Sequence, residues 1–135
     1  MTTGGRRPNI LLVLVDQWRG DCLGIEGHPV LSTPNIDRLG ADGAHFRRAY
    51  SECPSCIPAR RTIFSGQAPD AHGLVGMKGG VPWEIRCTLP GELASAGYQT
   101  EMVGKLHLYP QRKRYGFHHL QLSEASIHED DNDYV

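Results

Sequence analysis

The apolar positions of this chain fall into short blocks separated by glycine, proline and charged residues. The first block, "NILLVLV" at 9–15, is continuous rather than alternating. A run of leucine and β-branched residues is the pattern of a strand buried on both faces, typically a central parallel strand of an α/β sheet. It breaks abruptly into "DQWRGD" at 16–21. Ligands of open α/β sheets bind beyond the carboxyl ends of strands, so Asp16 and Gln17 stand where chemistry is expected. "STPNIDRLGADG" predicts a helix with Thr33 as cap, Pro34 in the first turn and Gly43 as stop. "AHFRRAYS" at 44–51 predicts a short strand. Residues 58–65 predict a helix with Pro58 in its first turn and Gly66 at its end. "TLPGELASAGY" repeats that grammar, with Thr88 as cap, a helix to Ala96 and Gly97 as stop. "YQTEMVGK" predicts a strand ending at Gly104. The order strand, helix, strand, helix, helix, strand implies a mixed or parallel α/β sheet. From about Leu108 the pattern loosens into a basic, aromatic stretch and then an acidic tail.

Composition narrows the class without naming an activity. A length of 135 residues suits one domain with its own core. A hydrophobic content of 39% and a charged content of 21% fit a soluble globular chain rather than a disordered one. A net charge of −1 gives no global pull toward nucleic acid or an anionic membrane, so neither is an expected partner. The six-residue apolar run 10–15 ends in Asp16, too short for a signal sequence or a membrane span. The expected compartment is therefore the cytoplasm. Four cysteines without an export signal do not suggest a disulfide scaffold.

The candidate chemistry sits in "SECPSCIPARRTIFSG" at 51–66. Cys53 and Cys56 form a CxxC, which raises a redox or zinc reading. A zinc site normally needs two more paired ligands, and Cys22 and Cys87 are isolated. Cys56 with Pro58 and Arg60 offers a second reading. A cysteine at the start of a proline-led helix lies where unpaired N–H groups and the macrodipole favour an anion. Arg60, four residues on, shares its helix face. The plain alternative is a structural cysteine beside surface arginines.

"CIPARRTIFSG" resembles the C-x-P-x-R signature of the formylglycine-dependent (type I) sulfatases, in the alkaline phosphatase superfamily. "GYQTEMVGKLH" is similar to that family's second signature, with its Gly-Lys-x-His element. "PNILLVLVDQWRGDCLG" resembles its N-terminal strand and metal-binding turn, and "STPNIDRLGADGAHFRRAYS" its next helix and strand. The four matches are collinear from Pro8 to about Tyr115. The resemblance implies an α/β fold, alkaline-phosphatase-like, with a mixed, mostly parallel sheet flanked by helices. It implies that Cys56 is oxidised to formylglycine by a formylglycine-generating enzyme. One hydroxyl of the hydrated aldehyde then attacks the sulfur of a sulfate monoester and the alcohol leaves; the second hydroxyl loses its proton, expels sulfate and restores the aldehyde. That is covalent catalysis in two easier steps. In this reading Arg60 helps hold the diol, Lys105 contacts the sulfate oxygens and His107 orients the diol or the substrate. Asp16, Gln17 and the modified Cys56 are the implied metal ligands, for calcium first and magnesium or manganese behind it. Gln17 departs from the family's commoner Asp-Asp, yet its carbonyl oxygen still suits a hard cation. His72 matches a recurrent His-Gly and is read as structural.

The family is several times longer than this chain. Residues 1–135 are accordingly expected to be the N-terminal part of a sulfatase catalytic domain, with an ordered α/β part at about 8–108 and a looser segment at 109–135. The remaining metal ligands and further catalytic groups would come from the missing C-terminal part, so the chain alone is expected to be inactive. One alternative is a phosphonate monoester or phosphodiester hydrolase of the same superfamily, where an Asp-Gln start also occurs. The other is a non-catalytic truncated fragment. The loop "VGMKGGVPWE" at 75–84 is a candidate for the pocket mouth. The tail "EDDNDYV" lacks the glycine and final glutamate of a calcium loop and is assigned no metal.

Overall fold

The computed structural model describes residues 7–123. The acidic tail and the first six residues lie outside them. The chain divides into two compact units, Met1–Ala49 and Tyr50–Val135.

The first unit contains a 3-10 turn at Gly24–Glu26 and helix α1 at Pro34–Asp42. The expected boundaries of α1 hold, with Thr33 before it and Gly43 after it. Thr33 does not cap the helix with its side chain. Its Oγ1 donates to Asp37 Oδ1 (2.7 Å) and accepts from the Gly24 N–H (2.8 Å). Asp37 also accepts from the Ile25 N–H (2.9 Å), so one carboxylate binds the 3-10 turn to the helix. A Cβ on Gly24 would meet Asp37 Oδ2, so a larger residue there must displace that carboxylate. Glu26 accepts from Arg47 and pairs with His45 (2.9 Å).

Two expected strands are corrected. Residues 9–15 and 44–51 form no strand in the structure. Leu11 is 88% exposed and Phe46 77%. A strand is defined by the ladder its backbone makes with a neighbour, and no described segment pairs with either stretch. An apolar run without ladder partners or a covering layer keeps its composition and loses its burial.

The second unit holds α2 at Cys56–Ser65, α3 at Leu89–Ser95, β1 at Glu101–Gly104 and β2 at His119–Leu122. The strands pair in parallel, Glu101 opposite His119 and Gly104 opposite Leu122. Only β1 of the expected strands forms, and β2 arises within the stretch expected to be looser. α2 starts two residues earlier than expected, at Cys56 itself, which puts Pro58 third in the helix. Pro58 costs nothing there, because first-turn N–H groups have no intrahelical acceptor. Gly66 ends α2 with φ 67 and a bond from its N–H to Thr62 O. Thr88 caps α3, accepting from the Gly91 N–H (3.0 Å) and donating to Tyr115 O (2.6 Å).

The core of this unit is Phe64, Trp83, Leu106, Leu108 and Tyr115, with Ile85, Met102, Phe117 and Leu122 against it. Trp83 and Tyr115 meet edge to face at 5.3 Å, and Phe64 and Phe117 at 5.9 Å, both favourable quadrupole geometries. Gly116 has φ 96, and a Cβ on it would lie 2.4 Å from Gly91 N, so the start of α3 and this turn touch backbone to backbone. Thr100 ties β1 to the approach to β2, donating its N–H to His118 Nδ1 (3.1 Å) and its hydroxyl to Gly116 O (3.1 Å). No described helix is long and apolar enough to cross a membrane.

Candidate functional site

Cys56 is the first residue of α2, preceded by Ser55 in extended conformation (φ −133, ψ 142). Ser55 does not cap the helix. The customary partner of a cap hydroxyl is the N–H of the third helical residue, and here that residue is Pro58, which has none. The Ser55 hydroxyl donates instead to Met77 Sδ (3.2 Å). The helix end beside Cys56 thus has no cap from Ser55, and a helix N-terminus with unpaired N–H groups favours an anion. Cys53 and Cys56 are both free thiols. The Cys56 thiol contacts Met77 Sδ at 3.8 Å.

Arg60 and Arg61 are not the surface arginines of the plain reading. Each is 6% exposed. Arg60 donates through Nη1 to the backbone carbonyl of Lys105, joining the helix of Cys56 to the turn after β1. Arg61 donates to Pro82 O from both terminal nitrogens (3.1 Å each) and lies over the Trp83 ring at 5.3 Å. Burial lowers the Arg61 pKa, opposed by the charges of Tyr115 and Glu84.

After β1 the side chains alternate. Leu106 is fully buried and Leu108 4% exposed, while Lys105 and His107 are half-buried. Lys105 and His107 thus stay partly exposed on either side of the buried Leu106, and His107 adopts φ 55. His107 lines a pocket with Ile57, Arg61, Gly80 and Val81. The 75–84 loop does form part of this pocket wall, through Gly79, Gly80 and Val81.

His72 bonds Thr62 Oγ1 through Nε2 (3.0 Å) and accepts the Leu74 N–H at Nδ1 (3.3 Å). Accepting at Nδ1 assigns the proton of the neutral ring to Nε2. Burial, with the nearby Arg61 charge, lowers its pKa, so the neutral ring is the favoured form. Its bonds fasten the segment after α2 to that helix.

Asp16 and Gln17 form an exposed turn in the first unit, Gln17 with φ 54. In that unit Asp21 pairs with Arg19, whose hydrogen bond holds the Asp21 carboxyl below its ordinary pKa. A carboxylate and an amide carbonyl are oxygen donors of the kind a hard divalent cation takes, and to that extent the pair fits calcium. Two residues are a partial set against the roughly six to eight oxygens calcium prefers. Among the described residues no three His, Cys, Asp or Glu side chains gather to hold a metal. Met77 and Arg61 were not singled out from the sequence. A lone methionine between glycines and a second arginine after a motif carry no periodic or spacing signal.

A sequence model of the Sulfatase family matches residues 8–134. The chain is 43% identical over 122 residues to an arylsulfatase of Clostridium perfringens, covering 90% of this chain and 25% of that protein. It is 37% identical over 114 residues to human N-acetylgalactosamine-6-sulfatase, covering 75% of this chain and 22% of the relative. Among solved structures it resembles the phosphonate monoester hydrolase of Agrobacterium radiobacter, with a TM-score of 0.75 and 32% identity over 86% of this chain and 26% of that one. It also resembles a protein solved in complex with its substrate D-glucosamine-2-N,6-O-disulfate, with a TM-score of 0.76 and 30% identity over 85% of this chain and 23% of that one. The chain spans about a quarter of the length of these relatives. With nearly the whole of this chain matched by the family's sequence model, the chain belongs to the Sulfatase family, within the alkaline phosphatase superfamily.

Proposed function

We propose that the protein is the nucleophile-bearing, N-terminal part of a catalytic domain that hydrolyses sulfate monoesters, built on a mostly parallel, alkaline-phosphatase-like sheet. The observation that carries this reading is the position of Cys56 as first residue of α2, with Arg60 on the same helix bonded to the turn that bears Lys105 and His107. Formylglycine made from Cys56 would supply, once hydrated, the hydroxyl that attacks sulfur. The uncapped helix end then favours the anionic ester. Arg60 acts by holding the Lys105 turn against α2, and through its charge in a buried setting. Lys105 offers an ammonium to the sulfate oxygens. His107, at the pocket wall, orients the hydroxyl or the ester by hydrogen bonding. Asp16 and Gln17 would offer oxygen ligands to a divalent cation, calcium first.

The first test is fragment-ion mass spectrometry of the tryptic peptide 49–60 after exposure to a formylglycine-generating enzyme. An aldehyde at position 56 is expected, with Cys53 unchanged. A thiol remaining at position 56 would overturn the reading. The second is turnover: the chain alone is expected to show none, and the chain completed by the remaining length of a relative is expected to cleave a sulfate ester. Full activity from the 135 residues alone would contradict the partial-domain reading.

The match to a phosphonate monoester hydrolase, together with Gln17 after Asp16, favours one second reading, a phosphonate or phosphodiester hydrolase. Paired assays on 4-nitrophenyl sulfate and a 4-nitrophenyl phosphonate monoester separate the two by which ester has the larger kcat/KM.

A further inference from the structure

The contact between Met77 and Cys56 has no place in the machinery above. Met77 lies in a glycine-rich loop, between Gly76 and the pair Gly79 and Gly80, the latter at φ 65. Its sulfur is 3.8 Å from Cys56 Sγ and 3.2 Å from Ser55 Oγ. The side chain is nevertheless 59% exposed, so it reaches the nucleophile from the solvent side rather than from the core. The far end of the same short loop, Gly79 to Val81, lines the pocket with His107. One loop therefore touches both the nucleophile position and the pocket wall.

Any ester placed for attack at residue 56 must come within reach of a group this close to its sulfur. Sulfate oxygens need donors or positive charge, and a thioether offers neither. The part of the ester that Met77 suits is therefore carbon. An unbranched, polarisable thioether makes its best contacts at the edge of an aromatic ring.

We propose that Met77 determines specificity for the organic half of the ester, selecting a flat aromatic leaving group at the nucleophile. This rests on the reading of Cys56 as the nucleophile's precursor.

The test uses the chain completed with the remaining length of the Clostridium perfringens arylsulfatase. Wild type, Met77→Ala and Met77→Leu are assayed on 4-nitrophenyl sulfate and on a hexose 6-sulfate. Met77→Ala is expected to lower kcat/KM for the aryl ester about three- to tenfold, the size of a lost sulfur–aromatic contact. The hexose ester should change by less than about twofold, and Met77→Leu, which fills the volume without the sulfur, should recover only part of the aryl activity. Equal loss on both esters, or no loss on either, would overturn the proposal while leaving the nucleophile assignment intact. A wild-type protein carrying the aldehyde but inert toward both esters would remove the parent reading and this one with it. A measurement on the 135-residue chain itself guards against a misfolded hybrid. Alkylation of the unmodified Cys56 thiol by iodoacetamide should be faster in Met77→Ala, and an unchanged rate would show that Met77 does not cover the nucleophile.

Discussion

Residues 10–15 are the longest apolar run in the chain, yet they lie in a unit with no buried residue among those described. Leu106 and Leu108 sit where the pattern begins to loosen, yet they are buried to 0% and 4% exposure. The first unit is held by polar side chains, chiefly Asp37 on Gly24's neighbour Ile25 and on Thr33, and Glu26 on Arg47 and His45. The second is held by an aromatic and aliphatic cluster with buried arginines donating to backbone carbonyls. Apolar composition states a preference for burial. Burial itself depends on which surfaces the chain can bring against one another.

Mutations divide along the same line. The largest difference is expected between Leu106→Ala and Leu11→Ala. The first should cost about 2–5 kcal/mol in urea unfolding, by lost transfer energy and a cavity in the core of the second unit. The second removes an 88% exposed side chain and should stay within about 0.5 kcal/mol. Equal costs would mean that residues 9–15 are covered in solution. Next comes Gly116→Ala against Gly27→Ala. Both glycines have positive φ, so each change costs about 1–2 kcal/mol of backbone strain. At Gly116 the new Cβ also meets the Gly91 backbone, whereas Gly27 faces open space, so the thermal shift should be clearly larger at Gly116.

Asp37→Ala comes third, at about 1 kcal/mol, from the loss of acceptors for Ile25 and Thr33. Faster hydrogen exchange at the Ile25 amide, with amides of the second unit unchanged, would confine the effect to the first unit. The smallest effect is the titration of His72. Its pKa in the folded chain lies below the ordinary 6.5, because burial and the Arg61 charge disfavour the imidazolium. The unfolded chain therefore binds the proton first as pH falls. Stability should be full above about 6.5 and decline as pH drops below it toward the folded value. His72→Gln should flatten that decline, and an unchanged pH profile would remove His72 from the account.

The helices were legible because their signals are local. Thr33 and Gly43 bracket α1, Gly66 closes α2, and Thr88 caps α3 with its own hydroxyl. The start of α2 was misplaced by two residues because Pro58 is tolerated anywhere in a first turn, not only at its first position. β2 was missed because "HLQL" is four residues long with no run to announce it. The strands at 9–15 and 44–51 were expected from composition, and composition cannot supply the neighbour that a ladder needs. In the candidate site, Cys56 and Arg60 could be placed on one face because helical spacing is a local rule. The bond from Arg60 to the Lys105 carbonyl joins residues 45 positions apart and has no local trace.

The sequence by itself determined both ends of α1, the glycine that closes α2, the cap of α3, the strand β1, and the order in which Asp16, Gln17, Cys56, Arg60, Lys105 and His107 appear. These follow from capping chemistry, side-chain period and a motif, each fixed within a few residues. The tertiary structure decided which apolar residues are buried, that both arginines after Ala59 turn inward, and that Met77 lies against Cys56. These depend on close packing and on donors meeting acceptors between distant segments. Both are properties of surfaces in contact, and no window of sequence contains them.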